Sequence, residues 1–228
     1  IPAPDTQPEW EPRFLAKAQR NIKIYQDCPV RMDGAQKFIA CIEQNRHLLK
    51  NRPQCFQHGD YHMGNMMIEN GKLVVIDFDR YDFGDPWEEF NRMFGVHSGA
   101  LFASGMVDGY FNGKVPAEFW ELLALYISSN MLSSVPWAIP FGEHEVTTML
   151  NQARDVLRWY DGMKSVVPSW YAKKAALALD FEMAGIGSRK NARSLPNLLT
   201  DYKRRRRFDG LAILENLFAR QKDRLLVG

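Results

Sequence analysis

Cysteine is scarce in this chain, and what there is cannot pair off. Cys28, Cys41 and Cys55 are the only three in 228 residues, an odd set with no CxxC spacing and no matching His/Cys group. Neither a disulfide framework nor a zinc site is expected, since His97 and His144 also lack ligand spacing, and a reducing cytoplasm is the simplest home. Long apolar runs are missing too. Stretches such as Leu122–Ile127 meet polar residues within a few positions, short of the roughly 20 residues a membrane span needs, so no membrane partner is expected. No internal repeat or low-complexity tract occurs. The opening Ile1-Pro-Ala-Pro-Asp5 has no initiator Met and no basic-then-apolar leader, and it reads as a cut edge. With 46% hydrophobic and 25% charged residues, global disorder is excluded and one large or two small domains fit.

Excess charge of one sign is also missing overall, but not locally. Of the 29 Lys/Arg and 27 Asp/Glu, 13 and 6 lie from Ala172 onward, a local net of +7 that leaves −5 for residues 1–171. This split sets a boundary near Tyr171, with an acidic body at 1–171 and a basic helical tail at 172–228 whose role stays unassigned. In the tail, Lys203–Arg207 precedes a helical pattern of Leu211, Leu214, Phe218 and Leu225. No RNA-binding aromatic motif or zinc knuckle accompanies the basic run, so nucleic acid is not the expected partner and a solvated basic helix is favoured, with a nucleic-acid-associated protein acting through this tail as the weaker alternative.

Periodicity predicts helices over Trp10–Gln26, through Phe14, Ala18, Ile22 and Tyr25, and over Gly34–Lys50, through Phe38, Cys41, Ile42 and Leu48/Leu49. Arg52-Pro53 is expected to stop the second. Between Met66–Ile68 and Leu73–Ile76, Asn70-Gly71 predicts a β-hairpin. Helices are expected again at Trp87–Phe94, Glu118–Leu132 and His144–Trp159, with Val135–Gly142 a two-proline loop. The aromatics Trp120, Tyr126, Trp137, Phe141, Trp159 and Trp170 are expected mostly in the core. The fold class expected is mostly helical α+β with one small hairpin.

Chemistry concentrates in His58–Asp79. A His-x-Asp is followed five residues later by Asn65, then the hairpin, then Asp77 in Ile76-Asp77-Phe78-Asp79. Phosphoryl transfer needs little covalent chemistry from the protein and much positioning and charge neutralisation. Asp60 can orient a hydroxyl and accept its proton. Asn65 and Asp77 offer the hard oxygen ligands Mg²⁺ prefers, the rest of its shell coming from nucleotide phosphates and water. His58 is expected to brace the loop by hydrogen bonding, and Gly59 to permit its sharp backbone course.

The run His58-Gly59-Asp60-Tyr61-His62-Met63-Gly64-Asn65, followed by Ile76-Asp77-Phe78-Asp79 and by Phe83-Gly84-Asp85-Pro86-Trp87-Glu88-Glu89, resembles the signature of the aminoglycoside phosphotransferase family. That family is a branch of the protein-kinase-like superfamily, with Gly59 where protein kinases usually carry Arg. The resemblance covers roughly residues 1–171. It implies ATP or GTP as co-substrate with Mg²⁺, Asp60 as base, Asn65 and Asp77 as metal ligands, and an aminoglycoside-like hydroxyl acceptor, hence antibiotic resistance. Asp85 is expected to cap the Pro86 helix and steady the loop. Asp82, Glu88 and Glu89 are candidates to attract a small cationic substrate.

One departure is large. A kinase-like fold carries a nucleotide-covering loop, a strand lysine and its helix glutamate ahead of the catalytic loop. Only 57 residues precede His58, and they read as helices in which Lys17, Lys23 and Lys37 face solvent. The expectation is a C-terminal lobe alone, which leaves a rival reading as an inactive binding module. The apolar face left by the other lobe would favour self-association.

Overall fold

The computed structural model describes residues 1–70, 72–92 and 100–172. The expected tail helices lie outside the described residues, as do Gly71 of the hairpin turn and the end of the expected Trp87–Phe94 helix. The elements run α1 (Trp10–Asp27), α2 (Ala35–Asn45), β1 (Cys55–Gln57), β2 (Met66–Glu69), β3 (Lys72–Val75), β4 (Asp82–Gly84), α3 (Ala100–Phe111), α4 (Ala117–Ala138), α5 (Glu143–Trp159) and the single turn α6 (Ser169–Ala172). This is a mostly helical α+β arrangement with two small sheets.

α1 forms where its apolar residues make one stripe: Trp10, Phe14, Ala18 and Tyr25 are buried together with Asn21. Pro12 sits in its first turn, where a missing N–H has no intrahelical partner to lose. The helix stops at Cys28, which is extended (φ −71°, ψ 136°) ahead of Pro29. α2 ends earlier than expected. It tightens at Asn45 into a 3-10 turn over Arg46–Leu49, and Asn51 turns left-handed at φ 57° before Pro53 is reached.

α4 is the axis of the fold. It packs against α1, α2, α5 and a 3-10 turn at Glu88–Arg92, and Phe119, Leu122, Leu123, Leu125 and Leu132 are fully buried along it. It also runs further than expected, through Pro136 to Ala138, followed by a 3-10 turn at Ile139–Phe141. Pro136 removes one donor near the helix end, and burial of Val135 and Ala138 outweighs that loss. By length and composition the stretch Ala117–Phe141 would suffice to cross a membrane, with a mean hydropathy of 1.3, but 67% of that window is buried inside the fold. Its hydropathy is that of a core helix.

Two further expectations need correction. The expected hairpin is present, with β2 and β3 antiparallel in the register Met66↔Val75 to Glu69↔Lys72, but β1 and β4 form a second sheet, pairing Cys55↔Gly84, Phe56↔Phe83 and Gln57↔Asp82. Three-residue strands separated by a long insertion leave no periodic signal. α3 was not expected either, because Gly105 and Gly109 lower its propensity. Among the aromatics, Trp120, Tyr126 and Trp170 are buried, whereas Trp137 and Phe141 are exposed and pack on each other at 4.7 Å.

The core supplies the stability on which any site depends. Phe38, with no exposed surface, should cost about 3–5 kcal/mol when replaced by Ala. Ile24→Ala, on the exposed side of α1, should stay within about 0.5 kcal/mol. Urea denaturation of the two variants checks the contrast.

Candidate active site

The β1–β4 ladder brings together the two ends of an insertion, residues 58–81, that contains the whole His58–Asp79 constellation. At the start of that insertion the backbone turns through Gly59 at φ +79°, and a Cβ there would lie 1.9 Å from the carbonyl oxygen of Arg80. Only glycine fits, for both conformation and space.

Glu89 clasps this turn. Its two carboxylate oxygens accept the successive backbone N–H groups of His58 (2.7 Å) and Gly59 (2.9 Å). Burial pushes the Glu89 carboxyl above its ordinary range, and the two backbone donors oppose that push. The His58 ring bridges the insertion. Nε2 lies 2.8 Å from the Ile76 carbonyl, and Nδ1 lies 3.2 Å from the Asp60 amide. A carbonyl only accepts and an amide N–H only donates, so these contacts make Nε2 the donor and Nδ1 the acceptor.

Asn65 ends a 3-10 turn over Met63–Asn65 and is buried. Its Nδ2 donates to the Asp60 carbonyl at 2.9 Å, which leaves Oδ1 as the atom free to meet a cation. The backbone carbonyl of Asn65 accepts from Ile76 N–H at 2.9 Å, extending the β2–β3 ladder, so Asp77 follows at the same end of the hairpin. Asp77 is exposed, with φ 67°. One amide oxygen and one carboxylate suit a hard dication that shares its shell with phosphate oxygens and water. Among the described residues no group of three or more His, Cys, Asp or Glu forms an all-protein cage.

Asp60 has neighbours that the sequence pattern did not reveal. Arg92 Nη1 donates to Oδ1 at 2.8 Å, His62 Nε2 stands 3.8 Å from Oδ1, and Arg80 Nη1 stands 4.0 Å from Oδ2. His62, with Arg92 and Arg80, holds the carboxyl down at about 2 against the opposing effect of burial.

Asp85 is fully buried. Arg52 grips it through Nε (2.6 Å) and Nη2 (3.1 Å), Tyr126 Oη donates to it at 2.7 Å, and the Trp87 amide donates at 2.9 Å. The Arg52 guanidinium also lies 3.8 Å over the Trp87 ring. Burial, and then the adjacent Asp85 charge, raise the Tyr126 hydroxyl well above its usual value.

The three carboxylates considered for a cationic substrate are all engaged inside the protein. Asp82 pairs with Arg13 at 2.8 Å. Glu88 pairs with Lys17 at 2.7 Å, so Lys17 does not simply face solvent, and Glu89 is turned onto the loop backbone. Beside Gly59 lies a polar cavity of about 190 Å³, lined by Lys17, Asn91, Arg80, Arg92, Asn130 and Ser133 among others.

The family model for the phosphotransferase enzyme family (APH) matches residues 1–120 of this chain. The chain belongs to that family. The matched span includes the whole His58–Arg92 region and stops short of the 171 residues over which the resemblance was read. Comparison with curated proteins and with solved structures finds no match.

In this phosphotransferase-family chain the signature residues could be read from their spacing, whereas Arg52, Tyr126, Arg80 and Arg92 could not. No motif or period marks them: Tyr126 arrives from α4, Arg52 from the segment before β1, Arg92 from the 3-10 turn, and Arg80 from the end of the insertion. His62 stood within the motif, yet its place beside Asp60 depends on how the turn at Met63–Asn65 closes.

Two expected outcomes follow from this geometry. Arg52→Met leaves Asp85 buried without its cation and should cost about 3–5 kcal/mol, measured by denaturant unfolding. The Asp60 carboxyl, held at about 2 when folded against about 3.9 unfolded, contributes stability above pH ~4 that is lost as pH falls toward 2. The stability of wild type relative to Asp60→Asn should therefore decline across that window in thermal melts, and a pH-independent difference would refute the paired state of Asp60.

Proposed function

We propose that this chain is the catalytic and substrate lobe of a small-molecule kinase, transferring the γ-phosphate of ATP or GTP to a hydroxyl. The acceptor oxygen attacks γ-phosphorus, the bond to the β–γ bridging oxygen breaks, and the hydroxyl proton passes to Asp60. Asn65 Oδ1 and Asp77 would hold Mg²⁺, which neutralises phosphate charge when bound. His58, Gly59 and Glu89 position the loop, and Asp85 steadies the segment behind it.

The observation that carries this reading is the tie between base and metal ligand. Asn65 Nδ2 donates to the Asp60 carbonyl while the Asn65 carbonyl pairs with the residue before Asp77, so the three groups share one rigid unit. An aminoglycoside acceptor is the finer form of the proposal and rests on family likeness alone, because Asp82, Glu88 and Glu89 have internal partners.

A second reading is a binding lobe without turnover, because residues 1–57 do not themselves supply a nucleotide clamp. They hold α1, α2, a 3-10 turn, β1 and an isolated bridge at Pro2, with no glycine-rich hairpin over a nucleotide. Met67, Ile68 and Leu73 on the β2–β3 hairpin, with Phe78 and Tyr81 nearby, are exposed. Such a face suits a covering nucleotide lobe, or a second copy of the chain.

Phosphate transfer from ATP to a panel of hydroxylated small molecules, followed by ³¹P NMR with a nucleotide-binding lobe joined to the chain, separates these readings. Asp60→Asn should lower turnover by about 10²–10⁴-fold with unchanged circular dichroism. Undiminished turnover in that variant would remove Asp60 as base. Ligand binding with no transfer in any form would favour the binding lobe.

A further inference from the structure

The cavity beside Gly59 carries more information about the acceptor than the carboxylates around it do. Its fixed charges largely cancel. Lys17 and Glu88 pair at 2.7 Å, and Asp82 pairs with Arg13 at 2.8 Å. Glu89 spends both oxygens on the backbone of His58 and Gly59. What remains available are two guanidiniums, Arg80 and Arg92, which line the cavity and also face Asp60. Arg92 spends one hydrogen bond on Asp60, and Arg80 stands 4.0 Å away, so most of their planar donor sets are open to a ligand.

Elsewhere in the same lining, Asn91 is buried, with 8% of its surface exposed. Its Nδ2 donates to the Glu88 carbonyl, and its Oδ1 has no partner among the described residues. A buried acceptor without a donor is costly and uncommon. Ser129, Asn130 and Ser133 of α4 add polar groups to the wall. Asn65, Asp77 and Asp60 itself are not part of this lining, so the cavity is distinct from the metal pair and is linked to the Asp60 carboxylate through Arg92 and Arg80.

From this lining we infer that the acceptor is a small hydroxylated carboxylate, a hydroxy acid or hydroxy amino acid, whose carboxylate binds Arg92 and Arg80 and whose far-end N–H or O–H donates to Asn91 Oδ1. The inference rests on the phosphotransfer reading and names its substrate class. It also gives Arg92 a second task. In the free protein Arg92 holds the Asp60 carboxylate. An acceptor that brings its own anion competes for that guanidinium and releases the base beside the hydroxyl to be phosphorylated. A polycation meets two guanidiniums instead, and a neutral polyol leaves Arg92 on Asp60.

Calorimetric titration of the full chain tests this without requiring turnover. The probes are glycerate, threonate and L-serine, set against glycerol, threitol, ethanolamine and kanamycin. At least one acid should bind about tenfold or more tightly than its uncharged or cationic counterpart. Arg92→Ala should abolish that preference, Arg92→Lys should restore part of it, and Asn91→Leu should weaken the acid with Arg92 intact. Arg80→Ala provides a second reduction in affinity if Arg92→Ala does not fold. Equal binding of acids and polyols, preference for kanamycin, or no binding by any acid would overturn the inference. Each of those results leaves the phosphotransferase reading to stand or fall on the Asp60→Asn turnover measurement.

Discussion

A fully buried carboxylate, Asp85, holds the frame around the candidate site. It receives two hydrogen bonds from Arg52, one from Tyr126 and one from the Trp87 amide, so four donors from three parts of the chain converge on one side chain. Tyr126 in turn accepts from Trp10 Nε1 at 3.0 Å, which connects α1 to α4 through the same group. The Asp85 carbonyl accepts from Gln57 at 2.6 Å and thereby secures the end of β1. A buried ion pair of this kind is weak evidence for net stability, because desolvation offsets much of the attraction. Its effect is on geometry, since any displacement of one partner leaves a charge unsatisfied in a dry interior.

From that anchor the loop is positioned in steps. Asp85 fixes where Pro86 and the 3-10 turn at Glu88–Arg92 begin. The turn then presents Glu89 to the amides of His58 and Gly59 and Arg92 to Asp60. Two residues three apart on one short turn thus control the backbone of the loop and the charge of its central carboxylate. The low Asp60 pKa means that the group is ionised across the physiological range, with the Arg92 guanidinium seated on its Oδ1.

Legibility followed the range of the interactions. Local patterns carried the helices α1, α2 and α5 and the β2–β3 hairpin, because apolar spacing and an Asn-Gly pair act within a few residues. The positions of His58, Asp60, Asn65 and Asp77 were also legible, since a rigid loop and hairpin need fixed spacing. The β1–β4 ladder was not, as Cys55 and Gly84 meet across a long insertion. α3 was hidden by its two glycines, and the end of α4 by Pro136, whose local preference was overridden by burial of Val135.

Sequence by itself determined the family and the close spacing of His58, Asp60, Asn65 and Asp77, because a motif depends on residue type and short spacing. Tertiary structure alone decided which charges remain free. Asp82, Glu88 and Glu89 read as an acidic cluster along the chain, yet packing gives them Arg13, Lys17 and two backbone amides as partners, and leaves Arg80, Arg92 and Asn91 lining the cavity. The reason is physical: a side chain's charge is a property of the residue, but its availability depends on neighbours brought from distant parts of the chain, and no local pattern records them.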